Sequence, residues 1–290
     1  MTKIESELIR RWLNGWTVAR SLSEAEPVES AGDGLRSKCD QPGREVEVFA
    51  LRADEEPESL ARLAAAVAAA RQTTWLTVPT LRPGTVEAVV GAAGLELLHR
   101  SEWFMTTDLT EHPQHAPAAP YEREVRTEGP VTVVSLHDSS GDVAARGTIA
   151  VVGADAIADR IETDAAHRRR GLGRAMMSAL AEAAVAQGAR TGLLIASEEG
   201  QRLYSSLGWR YEAHVLIAGG RWFPPTGRTG SRRPIRPYAR RTPADPPSED
   251  ARTYCDCLFR LCSGWPSISA APARDHPQEG EACCRTGRAV

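Results

Sequence analysis

The run Ile161 to Arg174, IETDAAHRRRGLGR, is where residue type and spacing first point to chemistry. A strand-like stretch ends, three arginines follow His167, and Gly171-Leu172-Gly173 opens a helical pattern. The first turn of a helix has backbone N–H groups without intrahelical partners and carries the positive end of the helix dipole, so it suits an anion. Glycines at 171 and 173 let a phosphate approach the backbone with no Cβ in the way. Arg168, Arg169 and Arg170 add charge and planar donors that match a diphosphate. Two nucleotide motifs fail on their own residues. A P-loop needs G-x-x-x-x-G-K-[ST], and this run has no lysine. A dinucleotide fingerprint needs glycine or alanine where Met176 stands, and a glycine turn directly after a strand, where a basic stretch intervenes here.

The elements around the loop must hold it in place. Val131 to Leu136, Val143 to Val152 and Ala156 to Thr163 read as strands joined by short turns at Ser139–Asp142 and Gly153–Asp155, which implies an antiparallel meander. A helix is expected from Gly171 to Gln187, with Leu172, Ala175, Met176, Ala179, Leu180 and Ala183 on one face and Gly188 to stop it. Thr191 to Ala196 is a short apolar strand, expected parallel to the one before the helix. Ser197 can cap a last helix, in which Leu203, Tyr204 and Leu207 share a face and Gly208 ends the run. Trp209 to Ala218 is the final strand.

The spacing R-x-x-G-x-G, as Arg168-Arg169-Arg170-Gly171-Leu172-Gly173, resembles the GNAT superfamily of N-acetyltransferases. The likeness continues in Leu203-Tyr204-Ser205-Ser206-Leu207-Gly208-Trp209, which is similar to the family's L-Y-x-x-x-G-[FW] run. Two motifs in the right order cover Val131 to Ala218. The helical pair that often precedes this sheet in the family is not visible between Tyr121 and Val131. The resemblance implies an α/β (α+β) fold with a mixed, mainly antiparallel sheet flanked by helices, and acetyl-CoA as co-substrate. By the same resemblance the backbone of Ile161, Glu162 and Thr163 pairs with the pantetheine arm and acetyl group. Arg168, Arg169, Gly171, Leu172, Gly173 and Arg174 fall on the diphosphate loop, and Tyr204 on the position that protonates the departing thiolate. Ser197 stands where the family commonly has an asparagine that contacts the cofactor arm, and Gly200 where it commonly has alanine.

The implied reaction is direct attack of an amine on the thioester, with Glu162 as candidate base. Asp159 is the other carboxylate near the same strand. The two are expected on alternate faces, so at most one of them points toward the acceptor. Two rivals stay open: a non-catalytic acyl-CoA-binding regulatory module, and an enzyme using another phosphate cofactor. The acceptor, a small-molecule amine or a protein amine, has no signature in the sequence, and neither has the oligomeric state.

The N-terminal half has no motif of its own. Ile4, Leu8, Trp12 and Trp16 suit an amphipathic helix that Gly15 weakens and can end early. Arg44 to Leu51 and Thr74 to Val78 read as strands, Pro57 to Ala70 and Pro83 to Ala93 as helices, and Leu95 to Leu109 as extended. This βαβαβ-like order permits a degenerate second copy of the same lobe. The expected organisation is an N-terminal α/β lobe over 1–111, a Pro- and Ala-rich linker over 112–120, a catalytic lobe over 121–218, and a tail over 219–290. That tail holds 12 Arg, no Lys, 7 acids and 5 of the 6 cysteines. Its Pro-, Gly- and Arg-rich composition reads as disordered. Cys255, Cys257, Cys262, Cys283 and Cys284 lack the paired C-x₂-C spacing of zinc sites, so no metal is expected.

At 290 residues, 42% hydrophobic, 25% charged and net −3, the composition excludes collagen, coiled coil and wholly disordered chain, and argues against nucleic-acid binding by bulk charge. No apolar run reaches membrane-spanning length and the first residues lack a signal-peptide core, so a cytoplasmic protein that engages no membrane is expected.

Overall fold

A computed structural model describes residues 3–29 and 31–220. Beyond residue 220, the expected Arg- and Cys-rich tail and its five cysteines lie outside the described residues. The chain opens with helix α1 (Ser6–Ala19), then a two-residue strand β1 (Glu26–Pro27) and the hairpin β2 (Gly34–Gln41) and β3 (Arg44–Ala50). Helix α2 (Pro57–Ala68) leads to β4 (Thr74–Thr80), and α3 (Pro83–Ala92) leads to the long β5 (Glu96–Asp108). After the connector come the meander β6 (Glu122–Glu128), β7 (Val131–His137), β8 (Val143–Val152) and β9 (Asp155–Thr163). Helix α4 (Leu172–Ala186), β10 (Thr191–Ala196), α5 (Glu198–Ser205) and β11 (Arg210–Gly219) complete it. The expected pattern of strands and helices from Val131 onward is present, and the last strand runs one residue further, to Gly219.

The eleven strands of the described residues form one sheet in the order β1-β2-β3-β4-β11-β5-β10-β9-β8-β7-β6. The two halves therefore exchange strands. β5, from the first half, lies between β10 and β11, and β11, from the second, lies between β4 and β5. Within each half two parallel strands are joined by a helix, β3–α2–β4 and β9–α4–β10, as the right-handed crossover rule favours. The arrangement repeats about the central β5–β11 pair.

Alternation along the strands divides the core into two faces. On β11, Leu216 and Ala218 pack with α2 and α3, while Ala213, Val215 and Ile217 pack with the Trp12, Trp16, Phe49 and Phe104 cluster beneath α1. On β9, Ala156 and Ala158 pack with α4, while Ile157 joins the α1 side. Helices α2 to α5 thus cover one face, and α1 alone among the described helices covers the other. Two ion pairs, Arg11–Asp155 and Arg20–Asp159, fasten α1 along β9.

One local expectation changes, and two strands appear where the sequence suggested none. Gly15 does not end α1, which runs to Ala19. A Cβ at Gly15 would overlap the Ile157 side chain, so the glycine lets the helix lie close on β9. β2 carries no expectation from sequence, because its inward positions include Ser37 and Cys39 rather than large apolar residues. β6, EREVRTE, is an exposed strand at the end of the sheet, where charge blunts unwanted pairing. The connector docks on α4: Ser178 Oγ donates to Pro113 O (2.8 Å), and His115 N donates to Ser178 Oγ (3.0 Å). No helix of the described residues is long and apolar enough to cross a membrane.

Candidate functional site

β9 and β10 pair only from Asp155↔Thr191 to Ile157↔Leu193. Beyond that point β9 stays with β8 and β10 stays with β5, so the two strands splay apart. The facing backbone edges of residues 158–163 and 194–196 line this split. A bulge in β9 shapes its wall: Thr148 pairs with Asp159 and Arg146 with Glu162, so Arg160 and Ile161 together face Gly147. Arg160 takes the left-handed φ of +52° that the extra residue requires. The bulge also overturns the expected alternation. Thr148 and Arg146 are two apart and share a face, so Asp159 and Glu162 share one too, the α1 face.

The split opens onto the start of α4. Gly171 caps that helix with φ +80°, a left-handed conformation that glycine adopts without strain. A Cβ built on it meets nothing within 4 Å, so the space over the cap is open. Arg174 N and Ala175 N both donate to Gly171 O (3.1 and 3.2 Å). The Leu172 and Gly173 amides come before these and are the leading donors of the helix. Arg168, Arg169, Arg170 and Arg174 are exposed around them, and Arg168 Nε donates back to Thr163 O (3.3 Å), tying the loop to the end of β9. The open glycine cap and the arginines fit a diphosphate. Gly173 has a second duty: a Cβ there would lie 2.8 Å from Leu203 Cδ2, so it also lets α5 pack on the first turn of α4.

A polar chain braces the loop from behind. Arg170 Nη1 donates to Tyr121 Oη (3.0 Å), Tyr121 Oη bonds His167 Nδ1 (2.9 Å), and His167 Nε2 lies 3.5 Å from Asp138. Sequence reading missed Tyr121 and Asp138, which are 49 and 32 positions from Arg170 and carry no local signal.

Tyr204 is buried on α5, its ring 6.0 Å from that of Trp209. Burial pushes its phenol up, and the Asp159 charge adds to this, so it keeps its proton at neutral pH. Ser197 caps α5, its Oγ accepting from Gly200 N (3.3 Å). A Cβ at Gly200 would lie 2.8 Å from Tyr204 Cε2, so the glycine makes room for the ring where the family commonly has alanine.

The carboxylates on the α1 face differ in their freedom. Arg20 holds Asp159 with two hydrogen bonds (2.7 and 2.9 Å). Burial alone would raise the Asp159 carboxyl, but the Arg20 guanidinium brings it below its ordinary value, so it is a fixed anion. Glu162 is exposed, and desolvation raises its carboxyl against the opposing pull of Arg160 and Arg146. A third carboxylate escaped sequence reading. Glu102 lies on β5 beside Trp103, which pairs with Ala196 at the end of β10. Burial, then the nearby Glu47 charge, pushes it up to about 7. Its stretch read only as extended, and the strand exchange that brings it here is non-local.

Residues 129–211 match the family model described as "Acetyltransferase (GNAT) domain". A search of curated proteins returned no match. Among solved structures, the chain is similar to a GCN5-related N-acetyltransferase from Kribbella flavida, with 16% identity, 77% of this chain and 98% of that chain covered, and a TM-score of 0.57. It is also similar to a GCN5-related N-acetyltransferase from Sphaerobacter thermophilus, with 11% identity, 73% and 90% covered, and a TM-score of 0.46. A tandem GNAT protein from the clavulanic acid biosynthesis pathway shows 16% identity, 60% and 74% covered, and a TM-score of 0.45. At this identity the Kribbella likeness concerns the fold. The split between β9 and β10, the capped start of α4 and the family match over the same residues agree: residues 129–211 of this chain form a GNAT acetyltransferase domain.

Proposed function

We propose that the protein is an N-acetyltransferase that moves an acetyl group from acetyl-CoA to an amine. The observation that carries this reading is the strand split opening onto a glycine-capped, arginine-flanked helix start. The diphosphate sits on the Leu172 and Gly173 amides with Arg168, Arg169 and Arg174 around it. The pantetheine arm runs into the split along the backbone of Ile161, Glu162 and Thr163, near Ser197. Holding the thioester and the amine together supplies much of the acceleration.

In the transfer, the amine nitrogen forms a bond to the acetyl carbon while the carbon–sulfur bond breaks. The ammonium proton leaves to a carboxylate of the α1 face. Glu162 was the candidate from sequence, and Glu102, at about 7, is better matched to accept a proton near neutral pH. Tyr204, protonated and buried, donates to the departing sulfur, and the second proton that the nitrogen loses as the amide forms restores the phenol. A cytoplasmic setting goes with this reading, and the free buried thiol of Cys39 fits it.

The test is thiol release from acetyl-CoA over a panel of amines. Release that depends on the amine is the expected result. Acetyl-CoA binding without release on any acceptor makes the protein a binding module instead. Tyr204→Phe is expected to lower turnover ~10- to 100-fold while changing acetyl-CoA affinity far less; equal turnover removes Tyr204 from the reaction.

A further inference from the structure

The α1 face of the sheet carries a cluster of charged side chains. Arg20, Asp159, Arg146 and Glu162 lie on or against β8 and β9, and Arg44, Glu47 and Glu102 lie on β3 and β5. Most of these groups are engaged. Arg20 holds Asp159, while Arg44 donates to Glu47 (3.0 Å) and Gln41 (2.7 Å) and lies 5.0 Å over the Trp75 ring.

Arg160 is different. The bulge places it in the split wall, and its Nε is buried with no hydrogen-bond partner. Among the described residues no hydrogen bond or ion pair engages its guanidinium; burial and the charges of Arg20, Arg44 and Arg146 work against its charged form, and the Asp159 carboxylate, already held by Arg20, offsets them only in part. The carboxylates of Asp159 and Glu162 act on this guanidinium through space without a hydrogen bond, so its donors are left to a further anion. The Nε of Arg44, a residue only 7% exposed, is a second buried donor without a partner on the same face.

The strand register puts this donor opposite a carboxylate. β9 and β10 last pair at Ile157↔Leu193, so Arg160 and Ala196, each three residues further on, stand at the same level. Ala196 pairs with Trp103, the neighbour of Glu102. Arg160 and Glu102 therefore stand at nearly the same level, within about one residue step or ~3 Å along the strands, with the split and strand β10 between them.

We propose that the acetyl acceptor is an amine that also bears a carboxylate, the carboxylate seated on the Arg160 guanidinium and the amine turned toward the split beside Glu102. This rests on reading the split as the acyl-transfer site. A planar guanidinium matches a carboxylate bidentately. The charge balance favours this anion over a phosphate: Asp159, Glu162, Glu47 and Glu102 stand among the four arginines, so a dianion meets repulsion that a zwitterion does not.

The test is calorimetry with the full chain saturated with CoA, which needs no turnover. The probes are free amino acids, their carboxamides, the matching decarboxylated amines, and phosphoethanolamine beside ethanolamine. The expected result is binding of at least one amino acid about 100-fold tighter than its amide, with Arg160→Gln abolishing that preference and leaving acetyl-CoA affinity as it was. Arg160→Lys should restore part of it. An amide bound as well as its acid, a preference that survives Arg160→Gln, or phosphoethanolamine preferred over every amino acid overturns the proposal. Thiol release with the same panel judges the transferase reading separately. Selective carboxylate binding without release upholds the Arg160 site and rejects transfer, and release without carboxylate selectivity does the reverse.

Discussion

The two halves of the molecule share a topology and differ in what sits at the same place. In the second half, β9 and β10 part and the loop before α4 presents arginines and an open glycine cap. In the first half, β3 and β4 last pair at Phe49↔Thr77, and the loop before α2 carries Asp54, Glu55 and Glu56, followed by Pro57 and Glu58. The buried Asp54 accepts hydrogen bonds from Thr80 Oγ1 and from Leu81 N (3.0 Å), pinning the loop to the end of β4. Arg52 is taken up by Asp33, Glu55 and Glu56. Among the described residues no such bond ties the loop before α4 to the end of β10. The crossover positions a helix start in both halves, and the loop chemistry sets them apart: arginines and an open glycine cap in one, carboxylates in the other.

Charge reversal on the two loops breaks the comparison most sharply. Arg168→Glu with Arg169→Glu should weaken acetyl-CoA binding by more than ~100-fold in calorimetry, while Glu55→Arg with Glu56→Arg should leave it within about 2-fold and create no second site. Equal effects from the two pairs would mean that the halves are not distinguished by charge. The arginine pair is a cleaner probe than Gly173→Glu, whose side chain also strikes Leu203.

Glu102 sharpens the contrast, since it is a first-half residue proposed to serve the second-half site. Glu102→Gln should lower kcat/KM for the acceptor ~100-fold or more and remove an ascending limb near pH 7. Its effect on stability has a definite sign. The folded protein holds this proton up to about 7 against an ordinary value of 4.5, so stability falls as pH rises through that window. Thermal unfolding of the wild type should show the decline, on the order of 1–3 kcal/mol, and the Gln variant should lose it.

Smaller effects are expected at the pins. Asp54→Ala should cost about 2 kcal/mol in denaturant unfolding by leaving Thr80 and Leu81 unsatisfied, without changing acetyl-CoA affinity. Tyr121→Phe releases Arg170 and His167 together and should raise the acetyl-CoA Kd only a few-fold.

What was legible in the sequence was local. The basic run, the two glycines and the apolar faces of α4 and α5 all lie within a short window, and backbone sterics and periodicity decide them. The Ser197 cap was readable for the same reason. Residues that reach the split through tertiary structure were not. One extra residue in β9 changed the facing of Glu162 relative to Asp159, and strand exchange carried Glu102 across the molecule. β2 and β6 lacked a signal because their patterns, GLRSKCDQ and EREVRTE, do not alternate between large apolar and polar residues.

The exchange of β5 and β11 makes the halves inseparable. A cut in the connector would leave each fragment with a slot where its neighbour's strand belongs, so neither could be expressed alone as a finished product. A change that loosens either half is then felt by both, because each completes the other's sheet.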